Sequence, residues 1–385
     1  MKMILKMLAF VGVFISALVL TGNHSLAVNV PPFVGINYGP YHFNGQSPDI
    51  GTKIPDSQFL ADLDLIYQKG FRYIRTYAVD KTSGLDHLVP LINVHRDKYP
   101  GLKVYIGVFE SSKYRSETEA ELATAIHLAN TYPNIIPGVV VGNEWSDKDF
   151  APGPVTVAQM QADLQNVRSS IPNQNVLVTT CFGFNAALNP EQDQQGRTLN
   201  GHYPGPSYGT QLQDHVDNMM FTSYPFFAGI NVNDAYADSK YWYDYAVNLF
   251  PGKQVFMGEL GWPTAGPDQT FQNPNPPAPP PPQTTAVPSV GNEQTYDTAL
   301  LNNQQNPDKL GPVFLFEAFD EPWKKGDARE PYWGLWTWTD PNTSPTEKFP
   351  FTVPGFPQAG LVGKQWIGPN PNSLWSNPDN WDPAG

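Results

Sequence analysis

Short apolar runs rich in β-branched and aromatic residues recur along the chain at Phe33–Tyr38, Tyr73–Tyr77, Lys103–Phe109 and Val139–Gly142, then at Val176–Thr180, Asn218–Tyr224, Val255–Gly258 and Pro312–Phe316. Between most of them lie stretches with helical spacing. Ser57–Lys69 sets Phe59, Leu60, Leu63, Ile66 and Tyr67 on one face, and Glu117–Asn130, Val155–Ser169 and Asp234–Leu249 follow. The first and last runs start roughly 280 residues apart, so the units average about 40 residues. Near-continuous apolar strands separated by helices predict a parallel sheet covered on both faces. Eight such units predict an α/β fold, a (β/α)₈ barrel in a single domain. An open doubly wound sheet is the alternative, but it has fewer units and a Gly-rich phosphate turn, which the sequence lacks.

Three segments stand outside this pattern. Residues 1–27 read as a secretory signal, with Lys2 and Lys6 ahead of a largely apolar run from Leu8 to Leu20 and small residues at Ser25-Leu26-Ala27. That run is too short to span a ~30 Å hydrocarbon core comfortably. The expectation is an exported chain with no membrane association after cleavage, secreted, periplasmic or cell-wall associated. The catalytic domain is expected over 28–338, interrupted by a proline-rich loop at 273–289 that can be neither helix nor central strand. The stretch 339–385 is expected to be an irregular tail packed on the barrel through Trp366, Trp375 and Trp381.

Charge narrows the partners. Among 385 residues, 23 Lys+Arg face 36 Asp+Glu, a net charge of −13, and loss of Lys2 and Lys6 takes this to −15. Nucleic acid is excluded as a partner, because phosphate binding needs clustered cations. A lone cysteine, Cys181, excludes an internal disulfide, and the seven scattered histidines show no metal spacing. No metal or cofactor is expected, and the chain is expected to act as a monomer.

In a barrel of this kind, active residues project from the C-terminal strand ends. Those ends read Tyr38, Arg75 with Tyr77, Glu110, Asn143-Glu144, Phe182, Tyr224, Glu259 with Trp262, and Glu317 through Lys324. Carboxylates, aromatic rings and a few cations suit a sugar: rings stack on pyranose C–H groups, and two carboxyls can perform the acid, base and nucleophile work. Strands four and seven face each other across a closed ring of eight, so Glu144 and Glu259 can converge.

With these motifs in hand, the chain resembles glycoside hydrolase family 17, the β-1,3-glucanases and β-1,3-glucanosyltransferases. The resemblance rests on Gly35-Ile36-Asn37-Tyr38-Gly39, Ile74-Arg75-Thr76-Tyr77, Val141-Gly142-Asn143-Glu144, Gly258-Glu259-Leu260-Gly261-Trp262-Pro263-Thr264, Phe316 through Lys324, and Tyr332-Trp333-Gly334-Leu335-Trp336. It implies Glu144 as acid/base, Glu259 as nucleophile, and Asn143 on the sugar 2-hydroxyl. Tyr224 is implied to orient the nucleophile, and Arg75 to favour its ionised form. Glu317, Glu321 and Lys324 are implied as ion-paired subsite residues. Tyr38, Tyr77, Tyr224, Trp262 and Trp333 are expected as sugar-facing rings. Leu260 departs from the family, which more often has Thr or Ser there.

The implied reaction is double displacement with retention on a β-1,3-glucan polysaccharide or oligosaccharide, an endo-β-1,3-glucanase-like hydrolysis. Transfer to a glucan acceptor is the alternative, and a non-catalytic exported sugar-binding protein a third reading. Gly205-Pro206-Ser207-Tyr208-Gly209 matches G-x-S-x-G, yet Asn200 through Pro204 ahead of it reads as loop, not the strand a nucleophile elbow requires.

Overall fold

A computed structural model describes residues 29–146, 153, 155–189, 206–270 and 285–355. Residues 1–27, most of the proline-rich segment, and Trp366, Trp375 and Trp381 lie outside these. Eight parallel strands close a barrel: β1 (Val34–Asn37), β2 (Tyr73–Arg75), β3 (Lys103–Val108), β4 (Gly138–Asn143), β5 (Leu177–Phe182), β6 (Met219–Thr222), β7 (Val255–Leu260) and β10 (Val313–Leu315). Their ring order is β1-β10-β7-β6-β5-β4-β3-β2. Each arises from an apolar run, and the barrel closes because both faces of every strand are buried. Phe33, Tyr105, Val140, Leu177, Cys181, Met220, Phe256 and Phe314 pack together as one cluster. The Phe33 and Tyr73 rings stack at 3.7 Å. Burial of each large apolar side chain contributes about 1.5–3 kcal/mol.

Outside the barrel lie α1 (Asp56–Gln68), α2 (Leu88–Val94), α3 (Arg115–Thr131), α4 (Val157–Ser170), the short α5 (Phe184–Leu188) and α6 (Tyr208–Leu212), α7 (Ala235–Leu249) and α8 (Val290–Leu301). The helix α8 breaks the usual pattern, because Glu293 and Asp297 join Tyr296, Leu300 and Leu301 on its buried face. Two small ladders complete the fold. A hairpin pairs β8 (Gln269–Thr270) with β9 (Thr285–Ala286), so it bridges the two ends of the proline-rich insertion. The other pairs β11 (Trp336–Thr337) with β12 (Thr346–Glu347). The stretch from 339 to 355 therefore carries one short strand where the sequence predicts none, and buries Phe349, Phe351 and Val353. Lys348 ties it down, lying 2.7 Å from Asp320 and 3.7 Å from Glu293.

Register irregularities occur where the site lies. The β4–β5 ladder shifts between Val140 and Asn143, and β6–β7 shifts between Phe221 and Thr222. Such bulges re-aim side chains at strand ends. Gly142 takes φ 77° there, a left-handed conformation glycine enters without steric cost. A Cβ on it would stand 3.0 Å from Met160 Cε and 3.1 Å from Glu110 Cγ.

Candidate active site

The bulge delivers Asn143 and Glu144 into the barrel mouth, with Glu144 itself at φ 47°. Its Oε1 accepts from Thr222 Oγ1 at 2.6 Å. Thr222 in turn pairs in register with Glu259, so one residue on β6 touches the first carboxyl and stands beside the second. Each oxygen of Glu259 has its own donor. Arg75 Nη1 reaches Oε1 at 2.9 Å, and Tyr224 Oη reaches Oε2 at 2.5 Å. The Arg75 fork continues, from Nη1 to Asn37 Oδ1 at 2.9 Å and from Nη2 to Asn143 Oδ1 at 2.6 Å. Asn37 Nδ2 is spent on the carbonyls of Gly258 and Leu315. A single buried guanidinium thus links β1, β2, β4 and β7. Because it takes Asn143 by its oxygen, the Asn143 amide N–H₂ is left to donate toward the mouth.

Asn143, Glu144, Thr222, Tyr224 and Glu259 line a cleft of about 2050 Å³, walled by loops following all eight barrel strands. That is about twice the upper end of ordinary small-molecule pockets, ~300–1,000 Å³. Three donors on the wall, Tyr77 Oη, Trp323 Nε1 and Trp333 Nε1, are buried with no hydrogen-bond partner among the described residues. Buried donors are nearly always satisfied, by protein or by ordered water. Burial, then the Glu259 charge, pushes the Tyr77 hydroxyl well above its ordinary range, and burial does the same to Tyr224. Both remain hydrogen-bond donors at neutral pH.

After β10, Lys324 Nζ bridges Glu317 Oε1 at 2.8 Å and Glu321 Oε2 at 2.7 Å, 4.5 Å from the Phe316 ring centroid. Burial favours a neutral amine, but the two carboxylates outweigh it and raise the Lys324 pKa. Burial, reinforced by Glu321, raises the pKa of Glu317. Glu321 and Lys324 reach the cleft wall, while Glu317 stands behind it.

The family model of the BtgE/BtgC glycoside hydrolase domain matches residues 35–334. The chain belongs to this family. It is 30% identical over 322 residues to the putative glucan endo-1,3-beta-glucosidase btgC of Aspergillus niger, covering 79% of this chain and 41% of that protein. To the probable glucan endo-1,3-beta-glucosidase btgC of Aspergillus fumigatus it is 26% identical over 307 residues, 76% of this chain and 39% of that one. The chain thus spans well under half the length of these relatives. Among solved structures, an endo-laminarinase from Formosa Hel1_33_131 superposes with TM-score 0.60 at 18% identity, over 79% of this chain and 83% of that one. An active-site mutant of Rhizomucor miehei beta-1,3-glucanosyltransferase in complex with laminaritriose superposes with TM-score 0.55 at 22% identity, over 82% and 98%. Both likenesses are of fold.

Several side chains fall elsewhere than the sequence predicts. Trp262 does not face the cleft. It is fully buried, donates its indole N–H to Val287 O at 2.9 Å, and meets Phe226 edge to face at 5.1 Å. The chain packs closely beside it, since a Cβ on Gly261 would stand 2.1 Å from Phe316 O, and the indole lies toward Tyr296 of α8 with ring centroids 6.0 Å apart. Arg75 acts from beneath the cleft floor and is not on its wall. Tyr38 borders the cleft, yet commits its hydroxyl to Asp62 at 2.6 Å. Tyr77, Tyr224 and Trp333 stand on the wall, with the Trp333 ring 5.1 Å from Tyr224. Glu110 turns away from the mouth toward Arg115, 3.5 Å distant, and burial pushes its pKa up to about 8. The sequence motifs assign no role of their own to Asn37, Thr222 or Trp323. Asn37 and Trp323 lie inside the resemblance motifs and Thr222 two residues before Tyr224, which is the only signal they give.

Glu121 lies on the cleft wall. Its Oε2 accepts from Val79 N and Phe109 N at 3.1 and 3.0 Å, and burial raises its pKa from the ordinary 4.5 to about 8. A carboxyl raised on folding stabilises the native state fully below its unfolded pKa and loses that contribution as pH rises through the folded one. Urea melts at pH 5 and pH 9 should show a loss of a few kcal/mol from this site, at about 1.4 kcal/mol per unit. Glu121→Gln keeps an acceptor for both amides and should flatten that part of the loss. An unchanged pH slope in the variant would contradict the assignment.

Proposed function

We propose that the chain is a retaining glycosidase of the family 17 type, cleaving β-1,3-glucan by double displacement. The observation that supports this best is the paired environment of the two glutamates. Glu259 is fixed through both oxygens by Arg75 and Tyr224, while Glu144 is held on the same cleft by Thr222. Fixing both oxygens leaves a nucleophile little freedom to lose on attack. Glu259 attacks the anomeric carbon as Glu144 protonates the departing oxygen, and Glu144 then deprotonates the acceptor that releases the glycosyl-enzyme. The Asn143 amide donates to the 2-hydroxyl, where bonding strengthens in the transition state. Tyr77, Trp323 and Trp333 gain partners from the sugar hydroxyls. The relatives' names favour the same linkage, and the size of the cleft favours a polymer. The acceptor is water in hydrolysis, or a glucan hydroxyl in transfer; products longer than a short β-1,3-oligosaccharide substrate would reveal the latter.

The test is release of reducing sugar from a β-1,3-glucan. Glu144→Gln should lower it by about 10²–10⁴-fold. The same variant should keep most of its first step on an aryl β-glucoside whose leaving group needs no proton. Equal loss on both substrates would remove Glu144 from the acid role, and binding without cleavage by the unaltered protein would favour a sugar-binding module.

A further inference from the structure

Behind the cleft wall formed by the turn after β1, buried side chains hold that turn to α1. Tyr38 Oη donates to Asp62 Oδ2 at 2.6 Å, and Gln58 Nε2 donates to Pro40 O at 2.7 Å. His42 closes the turn. Its Nε2 lies 3.0 and 3.1 Å from the two Asp62 oxygens, and its Nδ1 lies 2.9 Å from Trp338 O. Both His42 and Asp62 are fully buried.

A neutral imidazole offers one N–H and one lone pair. Here both ring nitrogens face oxygens that only accept, so a neutral ring would set a lone pair against one of them. The imidazolium satisfies both. Its faces are equally suited to charge, with Phe319 stacked at 4.3 Å and Trp338 at 5.4 Å. The competing arrangement is the Nδ1–H tautomer, with Nε2 accepting from Gln58 Nε2 at 3.2 Å. It would turn the lone pair toward both Asp62 oxygens, and the Gln58 amide already serves Pro40 O and Gln46 Oε1. The charged groups acting on the ring are Asp62 on α1 and, after β10, Glu321. Burial pulls the imidazole pKa down, but Asp62 and the Trp338 carbonyl outweigh it and raise it above the ordinary 6.5.

The turn that this pair holds is part of the site. Tyr38, Gly39, Pro40 and Tyr41 wall the cleft together with Glu321. The contact is close: a Cβ on Gly39 would stand 2.1 Å from Glu321 Oε1. A shift of the turn therefore moves Glu321 and, through it, Lys324.

We propose that the buried His42–Asp62 ion pair is a positioning device for glucan binding: protonated His42 fixes the 38–41 turn against Glu321, and loss of that proton loosens the wall. This rests on the glucan-cleaving reading above. The sign follows from the raised imidazole. The pair's contribution is fully present below the unfolded histidine pKa of about 6.5 and disappears as pH rises through the higher folded value.

Glu259→Gln, expected to bind without turnover, provides the background. Calorimetric titration with a β-1,3-gluco-hexaose from about pH 6 to 10 should show Kd rising about tenfold as the ring loses its proton, the scale of one charge-assisted hydrogen bond. In Glu259→Gln combined with His42→Gln, Kd should be weak and flat over the same range. Long-range proton–nitrogen NMR of the Glu259→Gln parent should show imidazolium at pH 7 and a ring titration coinciding with the change in Kd. A neutral Nδ1–H ring at pH 7, or a Kd profile unaltered by His42→Gln, would overturn the proposal. If the double variant does not fold, the NMR titration of the parent decides. Absence of hexaose binding at every pH would sink the glucan reading and the positioning role together, whereas pH-independent binding in the parent would sink the positioning role alone.

Discussion

Glu259→Ala is expected to reduce kcat on β-1,3-glucan by on the order of 10⁴-fold or more, the scale seen when a covalent nucleophile is removed. Glu259 lies at the end of β7, buried, with one oxygen on Arg75 and the other on Tyr224. Nothing else among the described residues pairs a carboxylate with these two donors, so no neighbour can take over the attack. Alanine also vacates the space below the anomeric carbon, and a small anion can enter there. Azide at high concentration should therefore restore turnover and yield the α-glycosyl azide, the product of a single inversion. Rescue depends on Glu144 remaining able to protonate the leaving oxygen, so Glu144→Gln combined with Glu259→Ala should not be rescued. Azide rescue giving the β-glycosyl azide would contradict the assignment, as would a Glu259→Ala variant retaining a tenth of its activity.

The second large effect is expected at Arg75. Removing one partner of a buried ion pair leaves an uncompensated charge and costs about 3–5 kcal/mol. Arg75→Met strips a cation from Glu259 and donors from Asn37 and Asn143 in one step. Urea denaturation should show a loss in that range, and kcat should fall with it because both Glu259 and Asn143 lose their orientation. Arg75→Lys keeps the charge but has no planar fork, so it can serve only some of the acceptors. It should recover more stability than activity. A stability loss below about 1 kcal/mol for Arg75→Met would show that the guanidinium is not the link between the four strands.

The barrel was legible because its strands are buried on both faces and therefore read as unbroken apolar runs. The placement of Glu144 and Glu259 on the cleft was legible because each follows such a run directly, at Val141-Gly142-Asn143-Glu144 and Met257-Gly258-Glu259. Side-chain direction beyond the strand ends was not. Trp262 reads as sugar-facing from its place after Glu259, but its indole bonds Val287 O and packs against Phe226 and Tyr296, partners that only the folded chain brings to it. The helix α8 escaped the pattern because Glu293 and Asp297 occupy its inward face, where periodicity expects apolar residues. Its partner Lys348 comes from a stretch that had no signal of its own. The His42–Asp62 pair escaped for a related reason. Twenty residues separate its members, and only the folded turn brings both imidazole nitrogens onto acceptors.

The most direct test of the central claim is the anomeric configuration of the first product, followed by proton NMR during cleavage of a β-1,3-gluco-oligosaccharide before mutarotation sets in. Two displacements, first by Glu259 and then by an acceptor activated by Glu144, give a β-configured product. Accumulation of the α-anomer first would mean a single displacement by water, and would contradict a nucleophilic Glu259.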